Sequence, residues 1–240
     1  MRFLRILLAA VSLSLVAVSA GASPSDPKEG AEYIALPEAQ PTDSAGKVEV
    51  IEFFSYGCPH CSAFDPFLSN WVKKEGDKIA FKRVPVAFHS TWIPLQKLYY
   101  SLEAMGKVEE MHAKIFKAIH QDRVQLDSDA AVADFVAKQG IDKAKFLEFY
   151  NSFGIQTKVR RVTQLMEAYK VDSIPMVIVD GKYMTSPSVL GSALGANQPE
   201  ATLQMATIQV LDVLVDRLSK KPQTAEAAKP AAPAKKKAAH

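Results

Sequence analysis

The chain has 240 residues, of which 48% are hydrophobic, and a formal net charge of +3 at pH 7. The positive charge lies at the two ends: residues 1–20 contribute +2 and residues 219–240 contribute +5, which leaves −4 on residues 21–218. This distribution argues against a nucleic-acid-binding core. The chain contains only 2 cysteines, so no other thiol can be cross-linked to them by mistake.

The first 20 residues have the pattern of a secretory signal peptide. Arg2 and Arg5 precede an apolar run of about 15 residues that ends at the small residues Ser19 and Ala20. Such a run is short for a membrane span. We therefore predict export to the periplasm with cleavage of residues 1–20, and an uncleaved anchor is the alternative. Export would place the mature chain in an oxidising compartment, where a reactive cysteine pair can persist as a disulfide.

The next part of the chain leads into a buried strand. Residues 21–44 are rich in Pro, Ser, Asp and Gly, which predicts an extended N-terminal segment with one short edge strand near 33–36. The run at 48–54 is apolar, β-branched and aromatic, interrupted by Glu52, and predicts a largely buried strand.

A helix and a second strand follow. Apolar residues at helical spacing predict a helix from 58 to 75 that ends at Gly76. Residues 79–88 have strand character, and Pro85 is expected to end this strand or hold it at a sheet edge. Four aromatic residues are expected in the core: Phe64, Trp71, Phe81 and Phe88.

The long middle of the chain has helical periodicity only, between about 94 and 170. Three glycines, Gly106, Gly140 and Gly154, are expected to end helices within it. The predicted helices are 95–105, 108–120, 129–139, 143–153 and 157–169. This pattern indicates a helical module inserted between strands.

The chain then returns to strand character. Residues 176–179 and 182–184 flank Asp180 and Gly181, the dipeptide that most strongly favours a tight hairpin. An amphipathic helix is predicted at 199–220. The Lys/Ala/Pro composition of 219–240 predicts a disordered tail.

Two cysteines, Cys58 and Cys61, stand three residues apart where the first strand passes into a helix. Free N–H groups and the macrodipole at a helix N-terminus favour a thiolate on Cys58. Pro59 suits the first helical turn, where no N–H is needed. The N–H or positive charge of His60 is predicted to stabilise the same thiolate, the alternative being an ordinary solvated side chain. The pattern predicts thiol–disulfide redox chemistry.

Two structural roles for the cysteine pair are weaker alternatives. A zinc site needs four nitrogen or sulfur ligands, and the chain has no second Cys-x-x-Cys and no suitably spaced pair of histidines. We therefore predict no metal. A structural disulfide that closes so short a loop would constrain the unfolded chain little. His89, His112 and His120 are expected at ordinary helix and loop positions.

The run Phe-Phe-Ser-Tyr-Gly-Cys-Pro-His-Cys at 53–61, together with the helical insertion, resembles the DsbA-type periplasmic thiol:disulfide oxidoreductases of the thioredoxin superfamily. The resemblance implies an α/β thioredoxin fold, a central mixed sheet flanked by helices, with an inserted all-helical domain. The thioredoxin-like domain would comprise 45–87 and 163–218, and the helical domain 88–162.

The resemblance also assigns residues to the site. It implies that Ile174 and Pro175 form a cis-proline loop facing the disulfide and binding substrate. It implies that Glu52 is the buried acid beneath the disulfide, relaying protons to Cys61; a solvated face of the strand is the alternative position for this carboxylate. A basic residue is expected beside this acid, and either Lys82 or Arg83 fits.

The function predicted is donation of the Cys58–Cys61 disulfide to unfolded, cysteine-containing exported proteins through a mixed disulfide at Cys58. The chain would act as a monomer, without a cofactor beyond this disulfide. The resemblance also implies a membrane, quinone-linked partner that reoxidises the pair. The alternatives are a disulfide isomerase or reductase of the same fold, and a non-catalytic, peptide-binding chaperone module.

Overall fold

The structure is a computed structural model that describes residues 23–44, 46–195 and 197–220. The predicted signal peptide and nearly all of the predicted tail lie outside these residues. The strands are β1 (Ile34–Ala35), β2 (Val48–Phe54), β3 (Ile79–Pro85), β4 (Met176–Val179) and β5 (Tyr183–Thr185), which form one sheet in the order β1-β5-β4-β2-β3. Within the described residues, no helix has both the length and the apolar composition needed to cross a membrane.

Strand β2 is the centre of the sheet. All seven of its residues are buried, as its apolar sequence predicts. It pairs in parallel with β3, with Glu52 opposite Arg83, and antiparallel with β4, with Glu52 opposite Val177. The carboxyl end of β2 therefore lies inside the molecule, and the cysteine turn begins there.

The hairpin predicted around Asp180 and Gly181 joins β4 to β5. The two residues have φ of 53° and 62°, the left-handed values that a tight turn between antiparallel strands requires. Gly181 is also needed for space, because a Cβ there would lie 2.2 Å from the carbonyl oxygen of Gln40. The hairpin thus holds the N-terminal segment against the sheet.

Eight helices surround the sheet in the described residues. They are α1 (Pro59–Glu75), α2 (Ile93–Ala104), α3 (Val108–His120), α4 (Asp129–Lys138), α5 (Lys143–Tyr150), α6 (Phe153–Ala168), α7 (Pro187–Leu194) and α8 (Glu200–Ser219). Helices α2 to α6 lie between β3 and β4 in the chain, so the mixed sheet carries a helical insertion as expected. The domain boundary predicted at 162/163 falls inside α6.

Three helices of the insertion begin at the side-chain caps that their sequences encode. Ser128, Asp142 and Ser152 accept hydrogen bonds from backbone N–H groups at the starts of α4, α5 and α6. Such caps satisfy donors that have no partner inside the helix. Ser152 starts α6 four residues earlier than the apolar periodicity predicts.

The structure departs from some of the other expectations and agrees with the expected end of β3. Helix α7 was not predicted, because it is only 8 residues long and contains a glycine and two serines. Strand β3 ends at Pro85 and lies at the edge of the sheet, as expected. Phe88 is 41% exposed and does not belong to the core, whereas Phe64 and Trp71 are buried. Ser219, the first residue of the predicted tail, is the last residue of α8.

Two hydrophobic clusters fill the space on either side of β2. Val48 and Val50 pack with residues of α1 and α8. Ile51 and Phe53 pack with residues of the helical insertion. Neighbouring residues of a strand point to opposite faces, so β2 contributes to both cores, and β4 does the same through Val177 and Ile178.

Candidate active site at the Cys58–Cys61 turn

Cys58 is the N-cap of α1 and Cys61 lies in its first turn. The Cys61 backbone N–H donates to the Cys58 sulfur over 3.3 Å, and Pro59 occupies the first helical position. Both thiols are free, with exposures of 5% for Cys58 and 0% for Cys61. The helix thus offers the more accessible sulfur its unpaired N–H groups.

The two thiols differ strongly in acidity. The pKa of Cys58 falls from 9.0 to about 7, chiefly through the hydrogen bond with the Cys61 side chain; burial opposes this, and the backbone N–H groups of Cys61 and His60 assist it. The positive charge of His60 also lowers the Cys58 pKa, but it is the smallest of these causes. Burial raises the pKa of Cys61 far above its ordinary value, and the hydrogen bond with Cys58 raises it further.

Ile174 and Pro175 lie next to the cysteine pair. The Ile174–Pro175 peptide bond is cis, and the Ile174 carbonyl oxygen is 3.8 Å from the Cys58 sulfur. Pro175 is buried and Ile174 is partly exposed. The structure therefore brings together two segments that are 116 residues apart in the chain.

His60 projects from the first turn of α1 into solvent. Its Nδ1 lies 2.8 Å from Oε1 of Glu200, the first residue of α8. This hydrogen bond raises the pKa of His60, which favours a positive charge beside Cys58. The sequence offered no signal for the pair, because its members are 140 residues apart.

Glu52 is buried beneath the cysteines, so the solvated position for this carboxylate is wrong. Arg83 Nε donates to Glu52 Oε2 over 2.7 Å, whereas Lys82 Nζ donates to Glu49, three residues earlier on β2, over 2.6 Å. Arg83 is therefore the basic neighbour. Burial raises the pKa of Glu52 to about 7 against the opposing charge of Arg83. The second carboxylate oxygen, Oε1, has no hydrogen-bond partner.

His112 and Asp65 extend this buried polar group, and neither residue was predicted to belong to the site. His112 Nε2 lies 3.0 Å from Asp65 Oδ1, and Arg83 Nη2 lies 3.2 Å from the same oxygen. The expected ordinary helix position of His112 is thus a buried one. An acidic residue four positions after a catalytic cysteine was the only signal, since that spacing places both on one face of α1.

Trp92 covers the turn that precedes Cys58. A Cβ at Gly57 would lie 2.5 Å from Trp92 Nε1, so only glycine allows this close approach. Phe88 and His89 contact the Trp92 ring, with ring centroids 6.4 and 5.3 Å away. The segment after β3 therefore forms an aromatic border beside the reactive turn.

Comparison with known proteins agrees with this geometry. The family model described as "DSBA-like thioredoxin domain" matches residues 49–204. The chain belongs to this family. It is 45% identical over 212 residues to the thiol:disulfide interchange protein DsbA of Burkholderia cepacia, covering 88% of this chain and 95% of that one. It is 40% identical to the Pseudomonas syringae protein of the same name, covering 90% and 96% of the two chains.

Solved structures give the same result. A crystal structure of Pseudomonas aeruginosa DsbA superposes with a TM-score of 0.70 at 34% identity, covering 79% of this chain and 93% of that one. DsbA of Xylella fastidiosa superposes with a TM-score of 0.69 at 26% identity, covering 80% and 97%. The predicted thioredoxin fold with a helical insertion is confirmed, and this DSBA-like protein is a thiol:disulfide oxidoreductase.

The arrangement suits disulfide exchange through one reactive and one buried sulfur. Cys58 can carry negative charge near neutral pH, and Cys61 cannot. Within the described ranges, no group of three or more His, Cys, Asp or Glu side chains is placed to hold a metal ion.

Proposed function

We propose that this oxidoreductase donates its Cys58–Cys61 disulfide to cysteine pairs of unfolded, exported proteins in the periplasm. The observation that carries the proposal is the contrast between the two sulfurs: Cys58 has a pKa of about 7 and receives an N–H from the helix, whereas Cys61 is fully enclosed. A thiolate of low pKa is a good leaving group, and a dithiol stabilised in this way makes its disulfide a stronger oxidant.

The exchange proceeds in two steps. A substrate thiolate attacks the Cys58 sulfur, the Cys58–Cys61 bond breaks, and its electron pair stays on Cys61. A second substrate thiolate then attacks the substrate sulfur of the mixed disulfide and releases Cys58 as a thiolate. The substrate loses two electrons and gains a disulfide, while the protein becomes the dithiol.

Glu52 supplies the proton that the first step needs. Cys61 leaves as a thiolate whose raised pKa demands protonation. Glu52 is close enough for its charge to raise that pKa, and its own pKa of about 7 leaves it partly protonated at neutral pH. Proton transfer from Glu52 moves the single negative charge from Cys61 to the carboxylate, which Arg83 compensates.

Ile174 and Pro175 hold the substrate beside Cys58. The Ile174 backbone lies next to the Cys58 sulfur, so an extended peptide that pairs with it would present a cysteine to the disulfide. Backbone pairing gives affinity without demanding a particular sequence. Such binding fits a general oxidant of unfolded chains.

The location of the protein and its reoxidation complete the proposal. The signal peptide at residues 1–20 would deliver the chain to the periplasm, where it would act as a monomer and need no cofactor beyond the disulfide. Each turnover leaves the dithiol form, so a second oxidant must restore the disulfide. We assign this step to a membrane, quinone-linked partner.

A pair of single-cysteine variants tests the proposal in cells. Cys61→Ser keeps the reactive thiol but cannot resolve a mixed disulfide, so acid-quenched, alkylated periplasm should show many adducts on non-reducing gels. Cys58→Ser keeps only the buried thiol and should show none. Equal adducts from both variants would contradict the assignment of Cys58 as the attacked sulfur.

An isomerase or a chaperone would behave differently from an oxidant in solution. The oxidised wild-type protein should convert a reduced, unfolded secretory ribonuclease to disulfide-containing forms, one disulfide per molecule of protein. Faster recovery of activity from scrambled ribonuclease than from reduced ribonuclease would indicate an isomerase. Binding without any loss of substrate thiols would indicate a chaperone.

A further inference from the structure

A buried chain of side-chain hydrogen bonds runs from the helical insertion to the acid beneath the cysteines. The Tyr56 hydroxyl lies 2.8 Å from His112 Nδ1, and His112 Nε2 lies 3.0 Å from Asp65 Oδ1. Arg83 then bridges Asp65 and Glu52, at 3.2 and 2.7 Å. Of these five residues, only His112 belongs to the insertion.

The partners determine how His112 is protonated. The Asp65 carboxylate can only accept, so His112 Nε2 carries the hydrogen. Burial lowers the pKa of His112 by more than its hydrogen bond to Asp65 raises it, so the ring is neutral at pH 7. The bare Nδ1 then accepts from the Tyr56 hydroxyl, and every hydrogen bond has one donor and one acceptor.

His112 contacts both sides of the reactive turn. Tyr56 lies two residues before Cys58, and Asp65 lies four residues after Cys61. The side chains of His112 and Asp65 are both less than a tenth exposed. A hydrogen bond to a charged group in such surroundings is stronger than one at the surface.

Asp65 also competes with Glu52 for Arg83. Its Oδ1 is shared by Arg83 Nη2, the Ser69 hydroxyl at 2.8 Å and His112 Nε2. The hydrogen bond from His112 is the largest of the causes that lower the pKa of Asp65 against its burial. Each donor that satisfies Asp65 leaves more of the Arg83 charge uncompensated.

We propose that His112 is a positioning residue for disulfide exchange: its Nε2–H neutralises part of the Asp65 charge, which leaves the Arg83 charge to act on Glu52 and the cysteine pair and favours the Cys58 thiolate. Through this one side chain the helical insertion adjusts the redox equilibrium of the thioredoxin-like half. The inference rests on the oxidant role proposed above for Cys58.

Three variants of His112 separate its two hydrogen bonds. His112→Leu removes both; His112→Gln places an amide N–H near the position of Nε2 and keeps the bond to Asp65; His112→Asn reaches Tyr56 but not Asp65. Two quantities are measured on the purified full chain: the equilibrium constant against glutathione, and the pH midpoint of thiolate absorbance at 240 nm.

We expect His112→Leu and His112→Asn to make the protein a weaker oxidant by roughly three- to tenfold in the equilibrium constant. Without the hydrogen bond from His112, the Asp65 carboxylate compensates more of the Arg83 charge. The pH midpoint of thiolate absorbance should rise in the same two variants. His112→Gln should stay within about twofold of wild type, by the same reasoning. If His112→Leu does not fold, the comparison of Gln with Asn decides the question.

A double-mutant cycle tests whether the effect passes through Asp65. In an Asp65→Asn background, His112→Leu should change neither the equilibrium constant nor the thiolate midpoint further. Unchanged values in His112→Leu, or equal changes in Gln and Leu, would overturn the inference. The proposed function would then still stand if wild type oxidises reduced ribonuclease, and would itself fail if it does not.

Discussion

Cys58 holds a negative charge more easily in the folded protein than in the unfolded chain, because its pKa falls from 9.0 to about 7. A lowered pKa contributes stability that is present above the unfolded pKa and is lost as pH falls through the folded pKa. Only the dithiol form has this thiolate. The reduced protein should therefore gain stability over the oxidised protein as pH rises.

Urea melts of the two redox forms at pH 6.0 and 8.5 measure this difference. We expect the free energy of unfolding of the reduced protein, minus that of the oxidised protein, to increase by about 1.5–2 kcal/mol between these pH values. Glu52 titrates in both forms, so its contribution largely cancels in this difference. An oxidised form that gains stability over the reduced form across this range would contradict the assignment of the thiolate to Cys58.

The stability that Glu52 contributes changes with pH in the opposite direction. Burial raises its pKa from 4.5 to about 7, so it contributes stability that is present below pH 4.5 and is lost as pH rises to 7. The oxidised protein has no titrating thiol, so its free energy of unfolding should fall by about 3 kcal/mol between pH 4.5 and 7.5 through Glu52 alone. This fall should be absent in Glu52→Gln. Parallel pH profiles of variant and wild type would show that Glu52 is ionised throughout.

The side chain of His60 stabilises the Cys58 thiolate less than the backbone N–H groups do. His60→Ser should raise the Cys58 pKa and weaken the protein as an oxidant, with the fold intact, because it removes the smallest of the causes that lower this pKa. Glu200→Gln is the matched control. It keeps the imidazole but removes the carboxylate charge that helps to raise the His60 pKa, so its effect should have the same sign and be smaller. An unchanged thiolate titration in His60→Ser would leave the helix N-terminus and Cys61 as the whole cause.

At the scale of elements, the turn between β2 and α1 depends on close packing with the segment that follows β3. Gly57→Ala would place a Cβ 2.5 Å from Trp92 Nε1, so the indole ring must move. We expect a loss of about 1–3 kcal/mol in the free energy of unfolding. The fluorescence of Trp92 should change as well, and it is one of only 2 tryptophans.

Gly154→Ala is the control for this substitution. Gly154 lies in helix α6, where a Cβ would have only Ser152 Oγ nearby, at 3.9 Å. Alanine there should be neutral or stabilising by up to about 1 kcal/mol. Equal stability of the two alanine variants would mean that Trp92 does not pack against Gly57.

At the scale of the whole molecule, local patterns predicted the elements, and long-range contacts completed the site. The strand at 48–54, the Asp180-Gly181 turn and the cysteine pair at a helix start are local features, and the structure has all three. Their predicted arrangement came from the family resemblance. Helix α7 could not be recognised in the same way, because its 8 residues, PSVLGSAL, are too few for a clear helical period and include a glycine and two serines.

Local sequence patterns could not predict the polar partners of the site. Nothing near His112 in the sequence indicates that it meets Asp65, 47 residues away, or that Arg83 rather than Lys82 faces Glu52. Strand register decides the second question, since adjacent residues of β3 point to opposite faces of the sheet. The reactive sulfurs could thus be assigned from sequence, whereas the groups that adjust their acidity required the fold.

The oxidant role of the whole molecule is tested most directly by the equilibrium of the purified, full-length mature protein with glutathione at pH 7. We predict that half of the Cys58–Cys61 pair is reduced at a potential less negative than about −200 mV, on the side of the oxidant DsbA at about −120 mV. The lowered pKa of Cys58 stabilises the dithiol and shifts the potential in this direction. A potential near −270 mV, the range of the reductant thioredoxin, would contradict the oxidant role.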